Sequence, residues 1–197
     1  MPVPPDDGKL LADIHLSIDV IQVLELVEVE SEMSLQYRLT LKWKDSRVSF
    51  RNLKIDTYLN TVGNEDAIKI WYPQVVFFSQ RWHRGQRRPQ LIKVPLFKVV
   101  FYNTKDMEET KYNDKSVITV NRNGTPTVSS LKEIQNDHIY KGEENELILS
   151  QVYTTQFICE YDLRNYPFDV QKCSMIFIMQ VREDVFLEII HYISCIS

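Results

Sequence analysis

Much that would make this chain easy to classify is scarce or missing. Its 197 residues include only three cysteines, five glycines and eight prolines. So little glycine and proline excludes collagen-like and low-complexity chains. Three cysteines are too few for a disulfide-dense scaffold. No apolar run approaches the roughly 18 residues that read as a membrane-spanning helix. Met1-Pro2-Val3-Pro4-Pro5-Asp6-Asp7 has neither the basic start nor the apolar stretch of a signal peptide, so the chain taken literally reads as soluble and cytosolic. The net charge is −4, which leaves no global basic field for a nucleic acid. His15, His83, His138 and His191 stand in no metal-ligating frame, and no nucleophile elbow or phosphate loop occurs. An enzyme is therefore not expected, nor a metal or cofactor.

What the chain does have is a β pattern. Hydrophobic residues make up 44%, enough for a buried core. Ile14, Leu16, Ile18 and Val20 alternate with polar residues. Met33, Leu35, Tyr37, Leu39, Leu41 and Trp43 then do so over a longer run, the pattern of a half-buried strand. The acidic stretch Glu28 to Glu32 between them reads as an exposed turn. Further strands are expected over Ala67 to Phe78, Val117 to Val120, Leu147 to Glu160 and Val170 to Met179. Asn121-Arg122-Asn123-Gly124 and Asn165-Tyr166-Pro167 supply turns. A short helix is read near Pro5 to Ala12. Short strands and little helical periodicity point to an all-β sandwich.

Two segments break the pattern. Arg81, Arg84, Arg87, Arg88 and Lys93 crowd a stretch containing Trp82 and His83. It reads as a solvated loop or as a patch for an acidic partner. The apolar Val185 to Ser197 fits a strand or a helix. A repeat also stands out: Val75-Val76-Phe77 recurs as Val99-Val100-Phe101, 24 residues on.

Cys159 and Cys173 enclose thirteen residues with Tyr166-Pro167 at their centre. The spacing does not fit a zinc ribbon. Two buried thiols and a disulfide both remain open; a disulfide closing a loop of this size would add roughly 3 kcal/mol.

The segment as a whole resembles the signature of the Cys-loop receptors, the pentameric neurotransmitter-gated ion channels. In that family two cysteines thirteen residues apart bracket an aromatic-Pro-aromatic-Asp core, matched here by Cys159, Tyr166, Pro167, Phe168, Asp169 and Cys173. Pro4-Pro5-Asp6-Asp7-Gly8, Trp43-Lys44-Asp45-Ser46-Arg47 and Ile70-Trp71-Tyr72-Pro73 resemble other family landmarks, in order. The resemblance implies an extracellular ligand-binding domain over residues 1–179: an immunoglobulin-like sandwich of about ten strands, with a divergent tail over 180–197. Residues 75–98 read as an insertion, because joining Gln74 to Val99 gives Val99-Val100-Phe101-Tyr102-Asn103-Thr104, which fits the family pattern better than the direct continuation.

The resemblance also implies roles. Cys159 and Cys173 form the family disulfide. Tyr102, with Phe78 as competitor, supplies a pocket aromatic, one of several whose ring faces attract an ammonium group. Arg38 and Thr40 lie on the complementary face, where Arg38 is suited to pair a ligand carboxylate, or is a solvent-facing strand residue. Trp43, Asp45, Arg47, Trp71 and Pro73 are structural. Phe168 and Asp169 face the pore domain, and the acidic turn lies at the same end. Asn123 opens a glycosylation sequon, disfavoured by Pro126 directly behind it, and Asn-Gly also reads as a plain turn.

Implied partners are a small neurotransmitter-like ligand and homologous subunits in a pentamer at the extracellular side of the plasma membrane, with the pore domain outside this sequence. Ser129-Ser130 and Ile139-Tyr140-x-Gly142-x-x-Asn145 look most like invertebrate glycine/GABA-type members. The alternatives are a secreted binding protein on the same domain, or an immunoglobulin-like interaction module. The last would carry a disulfide between its sheets with a tryptophan packed on it, whereas this pair is expected on neighbouring strands.

Overall fold

A computed structural model describes residues 14–77, 98–105, 109–110, 117–128, 137–159, 164, 170–180 and 186–196. The chain is all-β, as expected, with twelve strands among the described residues. They are β1 (His15–Val27), β2 (Glu32–Trp43), β3 (Ser49–Arg51), β4 (Gln74–Phe77), β5 (Lys98–Tyr102), β6 (Glu109–Thr110), β7 (Ile118–Asn121), β8 (Thr127–Val128), β9 (His138–Lys141), β10 (Glu146–Ile158), β11 (Val170–Gln180) and β12 (Phe186–Ile196). Among the described residues they form three sheets, in the orders β1-β2-β10-β7, β12-β11-β5-β4-β6 and β3-β9-β8.

By contacts the chain divides into two compact units. The first draws on Met1–Ile18, Leu39–Tyr72 and Tyr112–Gln151, the second on Asp19–Arg38, Pro73–Lys111 and Val152–Ser197.

The period of two in β2 matches its burial. Met33, Leu35, Tyr37, Leu39, Leu41 and Trp43 are all buried, while Gln36, Arg38, Thr40 and Lys42 are half-buried or exposed. β1 departs from its pattern: Val20, Ile21, Val23 and Leu24 are 39–47% exposed. β1 ends its sheet's strand order, and a terminal strand has a neighbour on one side only.

In the first unit, β7 pairs antiparallel with the start of β10, from Glu146 opposite Asn121 to Leu149 opposite Ile118. Trp43 and Trp71 meet edge to face, ring centres 6.3 Å apart, in a core that includes Leu41, Leu147 and Tyr140. The strand expected over Ala67 to Phe78 is corrected to Gln74–Phe77 alone. A one-turn helix, α1 (Asn64–Ala67), precedes it. Gly63 at its N-cap and Glu65 and Asp66 in its first turn favour a helix start, and Pro73 has no N–H for a ladder. Ile70, Trp71 and Pro73 are buried without being in a strand.

In the second unit two sheets face each other through aromatic rings. Tyr37 of β2 lies 5.6 Å from Phe101 of β5, and Phe101 lies 5.6 Å from Phe177 of β11. Phe77 of β4 stacks on Phe101 at 5.1 Å. β4 and β5 pair in parallel, and every partner lies 24 residues away: Val75 opposite Val99, Val76 opposite Val100, Phe77 opposite Phe101. The repeated tripeptides are thus sheet neighbours. The tail, whose structure the sequence left open, is a strand from Phe186 to Ile196 paired antiparallel with the whole of β11. The expected helix near Pro5 to Ala12 and the basic cluster lie outside the described residues.

Gly142 fixes the turn after β2. Its N–H donates to the Val48 carbonyl at 3.0 Å. A Cβ there would collide with the Asp45 carbonyl oxygen and sit 2.8 Å from that of Val48. Backbone cannot yield as a side chain does. Gly142→Ala is therefore expected to cost about 1–3 kcal/mol, read as a lower urea midpoint with an unchanged slope.

Candidate functional site

The residues singled out in the sequence fall into separate groups. Trp43, Trp71 and Pro73 are buried in their units. Both indole N–H groups are buried without a hydrogen-bond partner among the described residues. Asp45 is 1% exposed and faces Arg47 in a two-pronged contact, Nε to Oδ1 at 2.8 Å and Nη2 to Oδ2 at 2.7 Å. The Arg47 backbone N–H also donates to Oδ1 at 3.1 Å. The fork matches the carboxylate geometry and closes the turn.

Arg38 is exposed on β2. Thr40 is half-buried, with its hydroxyl 3.2 Å from that of Ser150. Tyr102 is 1% exposed, in a core cluster with Val100, Ile176 and Ile178. Phe78, and the loop residues Tyr166, Pro167, Phe168 and Asp169, lie outside the described residues.

Asn123 is exposed. Its N–H and that of Gly124 donate to the side-chain oxygen of buried Asn145, at 3.0 and 3.1 Å. Asn145 returns its amide N–H to the Lys141 carbonyl at 2.7 Å. The sequon is thus part of a built turn.

Cys159 and Cys173 are disulfide-bonded, with Cα atoms 5.0 Å apart. The expectation of neighbouring strands is corrected: Cys159 follows β10 of one sheet, and Cys173 lies in β11 of another. The two strands belong to different sheets, and no ladder between them is seen among the described residues. Both described tryptophans, Trp43 and Trp71, belong to the other unit.

The sequence reading gave no role to the residues beside this bond. Asn103 is 4% exposed with φ +55°, a left-handed conformation that asparagine tolerates. Its side-chain amide donates to the Ile158 carbonyl at 2.9 Å and the Ser174 carbonyl at 2.8 Å, one residue from each cysteine. Its side-chain oxygen accepts from the Ile176 N–H at 3.3 Å. Lys105 Nζ lies 2.8 Å from Glu32 and 3.7 Å from Glu30, in and beside the acidic turn. The only sequence signal was an asparagine after an aromatic strand.

A cavity of about 570 Å³ in the second unit has Phe77, Tyr153, Ser34, Thr155 and Glu25 in its walls. Tyr102 and Arg38 do not line it. Behind its wall Tyr37 stacks on Tyr153 at 5.8 Å, and its hydroxyl lies 3.2 Å from that of Thr155. Burial pushes the Tyr37 phenol well above the usual tyrosine range; the Thr155 contact opposes this and Tyr153 adds to it.

Against known families, residues 2–98 match the model described as the neurotransmitter-gated ion-channel ligand binding domain. The match supports a neurotransmitter-gated channel ligand-binding domain. It covers just under half the chain and stops before the disulfide loop, which adds a separate observation. Such a domain binds small molecules in oligomeric receptors and is not an enzyme. Comparison with curated proteins finds no match. No described helix is long and apolar enough to cross a membrane.

Two outcomes are expected from this geometry. Below about pH 10, the ordinary tyrosine value, Tyr37 is neutral whether the chain is folded or not. Above it the unfolded chain ionises Tyr37 while the folded chain holds it neutral, so stability present below pH 10 falls as pH rises. Denaturation midpoints measured from pH 8 to 11 should fall less steeply for Tyr37→Phe than for the parent. Second, Cys159→Ser should lower stability by about 2–5 kcal/mol, and a non-reducing peptide map of the parent should hold Cys159 and Cys173 in one linked pair.

Proposed function

We propose that this chain is the ligand-binding region of a pentameric neurotransmitter-gated channel subunit, in which agonist bound between subunits is coupled to pore opening. The observation that carries the reading is the ligand-binding-domain match over residues 2–98. The closed Cys159–Cys173 ring supports it from a part of the chain the match does not reach.

Within that reading, Arg38 presents an exposed guanidinium to a ligand carboxylate. Tyr102 backs the principal face from the core, and Thr40 contributes through a hydroxyl shared with Ser150. The disulfide loop and the acidic turn face the pore domain. Asn123 carries a glycan at the extracellular side, and residues 75–98 are an insertion in the domain.

A ligand panel on the purified chain tests the site. Arg38→Ala should weaken an amine ligand bearing a carboxylate about 10–100-fold, as for a lost charge-assisted hydrogen bond, and leave an amine without one unchanged. Equal losses for both ligands, or no binding by the parent, would remove the site. Sequencing the transcript downstream tests the receptor: four apolar stretches of about 20 residues each are expected. A transcript ending without them favours the secreted binding protein.

A further inference from the structure

Three backbone segments of the second unit converge beside the disulfide, and β5 is the one that pairs with β11 and, just past its end, bridges to β10. β10 ends at Ile158, and Cys159 donates its N–H to the Ser31 carbonyl at 2.8 Å, in the turn between β1 and β2. Ser31 itself has φ +57°. β11 carries Cys173 and Ser174. β5 arrives between them and ends at Tyr102, opposite Ile176 of β11.

The residues just after β5 bond to all three. Asn103 accepts the Ile158 N–H on its backbone carbonyl at 2.7 Å while its side chain holds Ile158, Ser174 and Ile176. Thr104, fully buried, bridges antiparallel to Phe157. The Lys105 N–H donates to the Gln156 carbonyl at 2.9 Å, and its ammonium reaches Glu32 and Glu30. The three residues do different things. Lys105 is a half-exposed charge whose pairing water and salt weaken. Thr104 bridges to Phe157 through its backbone. Asn103 is buried, makes three side-chain bonds to two strands of different sheets, and occupies a backbone conformation most residues avoid. Burial makes each of its bonds costly to lose.

We propose that Asn103 is a mechanical junction, a positioning residue through which β5, both stems of the disulfide loop and the β1–β2 turn shift as one body. The contacts set the order of coupling. A displacement of β5 moves Asn103 first, then Ile158 and Ser174 on either side of the disulfide, then Ser31 through Cys159. Lys105 adds a second, salt-sensitive tie to the same turn. As a path from ligand to pore this rests on the receptor reading above; as a property of the second unit it does not.

Amide hydrogen exchange on the full, oxidised chain tests it without any ligand. Asn103→Gly keeps the left-handed backbone and removes the side-chain bonds. It should speed exchange at the Ile158, Cys159 and Ile176 amides about tenfold or more, and speed reduction of the disulfide by dithiothreitol comparably. The Val62 and Val120 amides, bonded within the first unit, should be unchanged. Asn103→Asp keeps the acceptor for Ile176 and loses both donors, so Ile176 should stay protected while Ile158 and Cys159 do not. It also serves if the glycine variant fails to fold. Val100→Ala, a cavity within β5, should speed Cys159 exchange in the parent but add little in Asn103→Gly. Equal rises at Val62 and Val120, strictly multiplicative effects of the two substitutions, or no change at Cys159 would each overturn the junction. Failure of the ligand panel would overturn only the receptor reading.

Discussion

The bond between Cys159 and Cys173 joins strands from two different sheets. Such strands have no ladder of their own to set their spacing. Besides the backbone bonds of Asn103 and Lys105 to β10, three interactions share that work in the second unit. The disulfide contributes about 3 kcal/mol for a loop of this length. The Asn103 amide contributes roughly 1 kcal/mol per bond. The rings of Tyr37, Phe77, Phe101, Phe157 and Phe177 outweigh both, at about 1.5–3 kcal/mol for each fully buried side chain. Hydrophobic burial does not depend on direction, so the rings hold the sheets together without fixing their relative slide. The disulfide and the amide do, because each demands a defined distance. Stability and geometry are therefore supplied by different residues here.

That division explains what could be read from the sequence. β2 was legible because its two faces meet different environments, so six apolar residues recur at a strict period of two. The disulfide ring was legible from its spacing and its Tyr-Pro-Phe-Asp centre, although its place between two sheets was not. Asn60, Asn103 and Asn145 were not legible. Each is a buried side chain that bonds backbone groups of other segments, as when Asn60 donates to the Lys54 and Val120 carbonyls at 2.9 and 3.0 Å. In a sequence an asparagine reads as a turn, and nothing local announces which distant carbonyl it will meet. α1 was missed for a related reason: Ile68, Ile70 and Trp71 look like strand residues, and only the acidic first turn after Gly63 says otherwise.

Several motif residues serve the fold rather than the ligand. Asp45 and Arg47 close the turn after β2, and Gly142 leaves room for the backbone of that same turn. Tyr140 is core, under the Arg122 guanidinium at 5.0 Å, and Asn145 ties down the Asn123-Gly124 turn. Ile139, Tyr140, Gly142 and Asn145 are the described residues behind the glycine/GABA-type likeness. Constraints of this kind are shared by any ligand class built on the same turns. A resemblance resting on them reports architecture rather than ligand class.

The repeated Val-Val-Phe poses its own problem of specification. Two identical tripeptides lie side by side in parallel, each valine against a valine and phenylalanine against phenylalanine. Exchanging which copy borders β11 would replace like with like at every one of those positions, so burial of the tripeptide cannot choose between them. Register is weakly specified wherever alternatives bury the same groups. The choice must come from the residues next along the chain. Val99-Val100-Phe101 runs on into Tyr102-Asn103, whereas Val75-Val76-Phe77 runs on into Phe78-Ser79. Asparagine tolerates the left-handed backbone seen at 103 and brings both a donor and an acceptor on an amide long enough to reach Ile158, Ser174 and Ile176. A serine in that place has a shorter arm and a single hydroxyl. The buried amide is thus a feature that tells the two copies apart: an asparagine follows the strand beside β11, and a serine follows the other.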